Sequence, residues 1–489
     1  MTYPSYNKSA ISYIFLIFNM FISFSGFATV NLQTGVYSLN IHDFTGMERH
    51  YRGDETHSGI MGKKWMTVYD TRLKFKEDTN ILYMFDGAIS RYHIFEKNIS
   101  GNWQAKTGTF SETDSGYQYN YKDRIYKFND KGLLTEFHKN AYVWFKISYD
   151  KDEHISRLTT YEGIDYLVET NTDGMIIKLR PSETSIAVVE ISYSYNDGYL
   201  HTVKDVTGVN NYKYDENNLL TYASFVSKPP IYIDYVKFES DKYVSKVSHR
   251  DTYEKYNFKK IVRNDRENHF TVDIEEGMKG KKDVYKIRHE FNEVYKNGKY
   301  QYTKRVRRYR NDYMFFEQVN NSNGLKQSLF RQGVTTKYMY GSNNKVIRQE
   351  TPDYITTYTY NEADDITYFS LQVIDNSKPE IWSRFSYNNE GELILAENSE
   401  GKILSIQHDS NGNIISLRTD DKLLHFTYND HGMYEKITVE GVGSIKITYD
   451  IHGDMSKNIS DRDDYEVAKK ITEVVSEMMT ILGKSGISI

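Results

Sequence analysis

Hydrophobic and polar residues alternate with period two along most of the chain. Near the C-terminal end Ile445, Ile447 and Tyr449 fall on one side, and Ser444, Lys446 and Thr448 on the other. That period predicts a strand with one buried face. A pattern follows such strands: an aromatic residue, Asp or Asn, two variable residues, Gly or Asn, one more residue, then an apolar one. It occurs nine times, starting at Phe128, Tyr149, Tyr214, Tyr340, Tyr360, Tyr387, His408, Tyr428 and Tyr449, with Gly341 in place of the Asp or Asn in the copy at Tyr340 and a shorter variant at Tyr195. Several starts lie 20 or 21 residues apart, as in 128→149, 340→360 and 408→428. Asp or Asn suits the first position of a type I turn, and Gly three residues later suits a left-handed conformation. The apolar residue six after the aromatic (Leu134, Ile155, Leu220, Val346, Ile366, Leu393, Ile414, Tyr434, Met455) opens the returning strand. Each copy therefore predicts a β-hairpin. Glu153 and Asp364 stand at the Gly position, at a left-handed cost of about 1–2 kcal/mol, so those copies are expected to be looser or to use another turn.

Between Tyr214 and Tyr340 the pattern is faint, and whether 251–318 continues the same sheet is open, but Asn297-Gly298 is a strong hairpin signal. Hairpins of about 20 residues cannot bury a face alone and must stack. At ~4.8 Å per strand they make a strip roughly 190 Å long, which must twist and curl. The predicted fold class is all-β: a long antiparallel sheet of stacked hairpins curled into a spiral or partial shell, with one short C-terminal helix. That helix runs from Asp463/Asp464 to Leu482, where Val467, Ile471, Val474, Val475, Met478 and Leu482 recur at helical spacing before Gly483. Its apolar stripe suits a lid on the sheet edge or a dock for a partner.

Composition sharpens the picture. The 489 residues include 44 Tyr, only 6 Pro and no Cys, which favours pleated surface and excludes disulfides, thiolate chemistry and a Cys-linked lipid anchor. A formal net charge of -5 gives no support for a dedicated nucleic-acid binder. At the N-terminus Lys8 precedes an uncharged apolar run, Ile11–Ser25, and Gly26-Phe27-Ala28 supplies small residues. This is the pattern of a signal peptide cleaved after Ala28, with a membrane anchor as the alternative reading. A cleaved leader implies a secreted, periplasmic or cell-surface protein with no stable membrane insertion.

Candidate chemistry is sparse. His425, His431 and His452 lie near late turns without ligand spacing for zinc, and His408 takes an aromatic slot. Asp409-Ser410-Asn411-Gly412-Asn413 resembles part of a calcium loop, but its twelfth residue is Asp420 rather than Glu, so turn chemistry explains it. No cofactor, metal or catalytic residue is singled out; a carboxylate pair of the glycosidase kind has no distinguishing spacing. The binding candidates are the aromatics Trp65, Trp103, Trp144 and Trp382, which could stack on sugars or fill the interior. A basic patch within Lys299–Arg310 (Lys299, Lys304, Arg305, Arg307, Arg308, Arg310) could hold an anionic chain or be a solvated strand.

The hairpin copies resemble the RHS/YD-repeat family, named for a Tyr-Asp dipeptide ahead of a Gly turn. Val30–Phe44 is similar to the segment that opens many RHS proteins, and Gly62-Lys63-Lys64-Trp65 resembles their Gly-x-Gly-Trp element with the second Gly replaced. The resemblance implies a β-sheet spiralling into a hollow shell, which in toxin-bearing members encloses a C-terminal toxin; other members are associated with cell-surface contact and carbohydrate binding. The DPxGL-type closing element of toxin-bearing members is missing, and 40 residues follow Tyr449, so the expectation is a short member without toxin or self-cleaving end. The expected organisation is a signal peptide over 1–28, a cap region over 29–120, the repeat shell over 121–456 and a helix with tail over 457–489. The expected function is a non-enzymatic exported scaffold for a glycan or protein partner. The alternatives are a shell component whose effector is separately encoded or lost, and a glycan-cleaving enzyme.

Overall fold

The computed structural model describes residues 28–482, apart from 45–46, 77–78, 106–107, 122–123, 140–141, 161–162, 183–189, 227, 239–240, 376, 430–433 and 448–461. The leader, the copy at Tyr449, most of the turn after Tyr428, and His431 and His452 lie outside the described residues.

Hairpin stacking governs the architecture. Thirty-one antiparallel strands form one sheet in strict sequence order, from Thr109–Thr113 to Gly443–Lys446, without a crossover. The sheet thus opens ahead of the expected boundary at 121. Residues 251–318 continue it and hold its longest strands: Thr252–Arg263, Glu267–Met278, Val284–Lys296 and Lys299–Arg310. Asn297 and Gly298 close the last pair with φ of 52° and 71°, the conformation that makes Asn-Gly a hairpin signal.

The repeat has a finer logic than its pattern suggested. Where Asp or Asn follows the aromatic in a described full-length copy, its side chain closes the loop: the Asp150 carboxylate accepts from the amides of Asp152 and His154, each at 2.9 Å. Asp215 and Asp409 do the same, whereas Gly341 closes its turn through backbone bonds alone. The turn ends on a left-handed residue, and the ladder shifts register immediately before the aromatic, as between Ser148 and Tyr149 and between Thr359 and Tyr360. This is a three-residue loop closed by a bulge. Glu153 and Asp364 keep this same turn, with φ of 64° and 70° and turn amide bonds of 3.2 and 3.1 Å, so no alternative turn is used. Their side chains tie neighbouring turns together, Lys131 to Glu153 and Asn343 to Asp364. Turns at Asn171, Asn321 and Asn398 have this geometry too; they lack an aromatic before the Asn and so escaped the sequence pattern.

The tyrosine itself has a second task. Its hydroxyl donates to the first returning carbonyl of an earlier hairpin: Tyr149 to Leu134, Tyr214 to Leu200, Tyr340 to Lys326, Tyr360 to Val346, Tyr387 to Ile366 and Tyr428 to Ile414, at 2.6–2.9 Å. Each ring therefore fastens one hairpin to another, which Phe cannot do.

The cap comprises a four-stranded sheet (Ala28–Val30, Tyr37–Phe44, Met47–Arg52, Trp65–Met66), a small hairpin, and a second four-stranded sheet from Arg72–Phe75 to Trp103–Ala105. It shares a core with the first half of the long sheet, from Tyr37 to Phe291. Gly35, at φ 66°, sits so close to the Tyr243 ring that a Cβ would lie 2.3 Å from it. Lys64 adopts φ 67°, the conformation for which Gly is the natural residue in the resembled element.

Helix α1 (Arg462–Leu482) forms as predicted. Ile471, Val474, Met478, Ile481 and Leu482 pack with Phe369, Phe385, Leu404 and Ile406 into a second, separate core. The helix covers a face of the last strands rather than their edge alone. Among the described residues no helix is long and apolar enough to cross a membrane.

Candidate functional site

Residues directly opposite across a ladder share a face, so the faces can be traced through the sheet. Tyr212, against which the cap packs through Trp65, lies opposite Ala223 and then Ile231. Alternation and pairing carry this face through Val247, Tyr256, Ile274 and Ile287 to Arg310. Onward it runs through Phe291, Val306, Gln318, Leu329 and Thr336 to Tyr338, Gln349 and Thr356. It ends at Phe369 and Ser383, whose hydroxyl donates to the Ile481 carbonyl of α1 at 2.8 Å. Cap and helix thus cover opposite ends of one face, the inner face. Between them, no described residue from 294 to 368 is buried. The strands from Lys299–Arg310 to Tyr354–Tyr360 form a single layer open on both sides.

The basic patch lies at the start of this span, and the pleat divides it. Arg305 and Arg307 point to the outer face, where Glu317 meets them at 3.5 and 2.7 Å and Glu290 adds a contact of 3.9 Å to Arg307. Arg308 and Arg310 point to the inner face. Arg308 lies 4.4 Å from the Phe316 ring centre and Arg310 5.5 Å from that of Phe315. Lys299 opens its strand at the Asn297-Gly298 turn. Lys304 borders a cavity of about 260 Å³ with Asn264, Arg266, Glu267, Asn292 and Glu293.

Two further cations, absent from the sequence candidates, join the inner set. Arg331 lies opposite Phe316, on the far side from Arg308, and Lys326 sits 5.1 Å from the Tyr338 ring centre. The clue available in the sequence was alternation, but only register across four strands shows which alternate residues meet. Burial and the neighbouring Arg331 charge push the Arg308 guanidinium below its usual range. Burial and Arg308 lower His289, opposite it, to about 4, so this imidazole is neutral near pH 7. Glu290, Glu317 and Glu350 are outer-face residues, and Asp312 and Asp353 lie in turns. Glu293 is the inner-face carboxylate of this stretch, buried at the cap border and accepting from Gln33 and Asn268.

The structure does not bring the tryptophans together. Trp65 is fully buried and donates to the Tyr214 hydroxyl at 2.8 Å; its rings are taken up by the protein, with Arg49 5.1 Å from the ring centre. Trp103 is half-buried beside Phe110, bonded to Glu112 and overlain by Lys97. Trp144 is half-buried against the first core. Trp382 lies on the outer face between Tyr368 and Arg384. Among the described residues no cluster of three His, Asp or Glu side chains has metal-binding geometry.

Residues 28–92 match the family model of a domain of unknown function (DUF6531). No curated protein matches the chain. Among solved structures, the crystal structure of TcdB2-TccC3-Cdc42 matches with 11% identity and a TM-score of 0.48, over 85% of this chain and 26% of that one. The crystal structure of TcdB2-TccC3-TEV matches with 13% identity and a TM-score of 0.45, over 88% of this chain and 23% of that one. This chain spans about a quarter of the length of those two.

Proposed function

We propose that this chain is an exported, non-enzymatic scaffold of the RHS/YD-repeat kind that binds a glycan or protein partner. The observation that carries the reading is the open stretch of inner face between cap and helix. Its strands are anchored at both ends by separate cores, yet no described residue from 294 to 368 is buried. A surface held in shape and left uncovered is what a binding scaffold needs. The hairpins, their tyrosine ties and the resemblance of Val30–Phe44 to RHS opening segments support the family assignment.

The test combines fractionation with capture. In the native host the protein is expected outside the cytoplasm. A photo-crosslinking residue at Gln349, on the inner face, is expected to trap a partner, or a glycan array to retain the protein, while the same probe at outer Lys337 traps nothing. A cytoplasmic protein that retains neither ligand class would refute the scaffold reading.

A further inference from the structure

Three features of the open span are independent of one another. Its charges are sorted by the pleat. Arg305 and Arg307 meet Glu317 outside, whereas Arg308, Arg310, Arg331 and Lys326 gather inside, where Glu293 at the border is the carboxylate. The rings of Phe316, Phe315 and Tyr338 are overlain by these cations, so around Arg308, Arg331 and Lys326 the surface presents guanidinium and ammonium groups more than bare ring faces for sugars. Half-buried Val306 and Leu329 lie in the next row, so apolar sites alternate with the cations. Such a surface reads carboxylates joined to apolar side chains.

Spacing and precedent within the molecule narrow the occupant. Arg308 and Arg331 are two strands apart, about 10 Å. Carboxylates seven residues apart on a helix are separated by about 10.5 Å. The same inner face already accepts a helix at its other end: α1 lies apolar side down, and its Glu477 pairs with Lys422 in the turn that opens Leu423–Tyr428.

Resting on the scaffold reading, we propose that the open inner face docks an acidic amphipathic helix of a partner protein, its carboxylates on Arg308 and Arg331 and its apolar residues on Val306 and Leu329. This is helix-in-groove recognition on a face left vacant between two occupied ends.

The test uses the full chain and a fluorescent helical peptide with Leu on one face and Glu flanking it, read by anisotropy. The Glu/Leu peptide is expected to bind more weakly as salt rises and to lose about tenfold or more in affinity with R308Q/R331Q. The outer pair R305Q/R307Q is expected to change affinity by less than about twofold. If R308Q/R331Q does not fold, a photo-crosslinker in the otherwise native chain decides: capture of the peptide at inner Thr336 supports the proposal, and capture at outer Lys337 overturns it. Equal binding of a Lys/Leu peptide, or affinity indifferent to R308Q/R331Q, also overturns it. Binding of polygalacturonate with none of the Glu/Leu peptide overturns the helix and leaves a glycan scaffold standing. If the Glu/Leu peptide does not bind and no glycan or crosslinked partner is retained either, helix and scaffold fail together.

Discussion

A single phenol oxygen explains why Tyr, rather than Phe, stands at most of the repeat's aromatic positions. In Tyr360 it donates to the Val346 carbonyl at 2.7 Å, and equivalent tyrosines do the same along the sheet. Y360F keeps the ring but removes the tie, and is expected to cost about 1 kcal/mol in urea unfolding with the fold unchanged by circular dichroism. Burial, with a smaller contribution from Asp365, also raises the Tyr387 pKa from 10.0 to about 12, and burial raises Tyr126 to about 12. The folded chain holds these protons where the unfolded chain releases them. The resulting stability is full below pH 10 and falls as pH rises from 10.0 toward about 12. Urea midpoints at pH 7, 9 and 11 should be level between the first two and drop at the third.

At the scale of elements, each hairpin is specified locally and each sheet end is closed by something foreign to the repeat. The cap fits through the close approach of Gly35 to Tyr243 and through the buried Arg49–Asp43 pair at 2.6 Å, whose Asp43 also accepts from Tyr193. The helix closes the other end through Met478 and its neighbours. Met478 is fully buried, so M478A should cost about 2–5 kcal/mol. Because the cores are separate, hydrogen exchange should show that loss in the strands around Phe385 and Leu404 and leave those around Trp65 and Tyr212 unchanged. A uniform loss across both would mean that the cores unfold as one.

For the whole molecule, the consequence is a wall that is thick at its ends and one layer deep between them. Amides in Tyr313–Asn320 and Val334–Tyr340 are central in the sheet, yet no apolar layer covers them. Their protection against hydrogen exchange should be lower than that of Ile231–Phe238 or Ile403–His408 by about 1 kcal/mol or more of local opening energy. Equal protection throughout would show that the span is covered in solution, by a second copy or by part of this chain.

The sequence alone determined the hairpins, the strand direction, the C-terminal helix and the all-β class, because turn chemistry and alternation act over fewer than about ten residues. It missed the turns at Asn171, Asn321 and Asn398 only where the aromatic marker was absent. It could not choose among the tryptophans or divide the basic patch. Adjacent arginines such as Arg307 and Arg308 look equivalent along the chain, but the pleat sends one to Glu317 and the other to Phe316. Arg331 joined them only through register across intervening strands. Tertiary structure decided which face the cap and helix would occupy, and therefore which stretch stayed open, because burial depends on what returns to a surface from far along the chain.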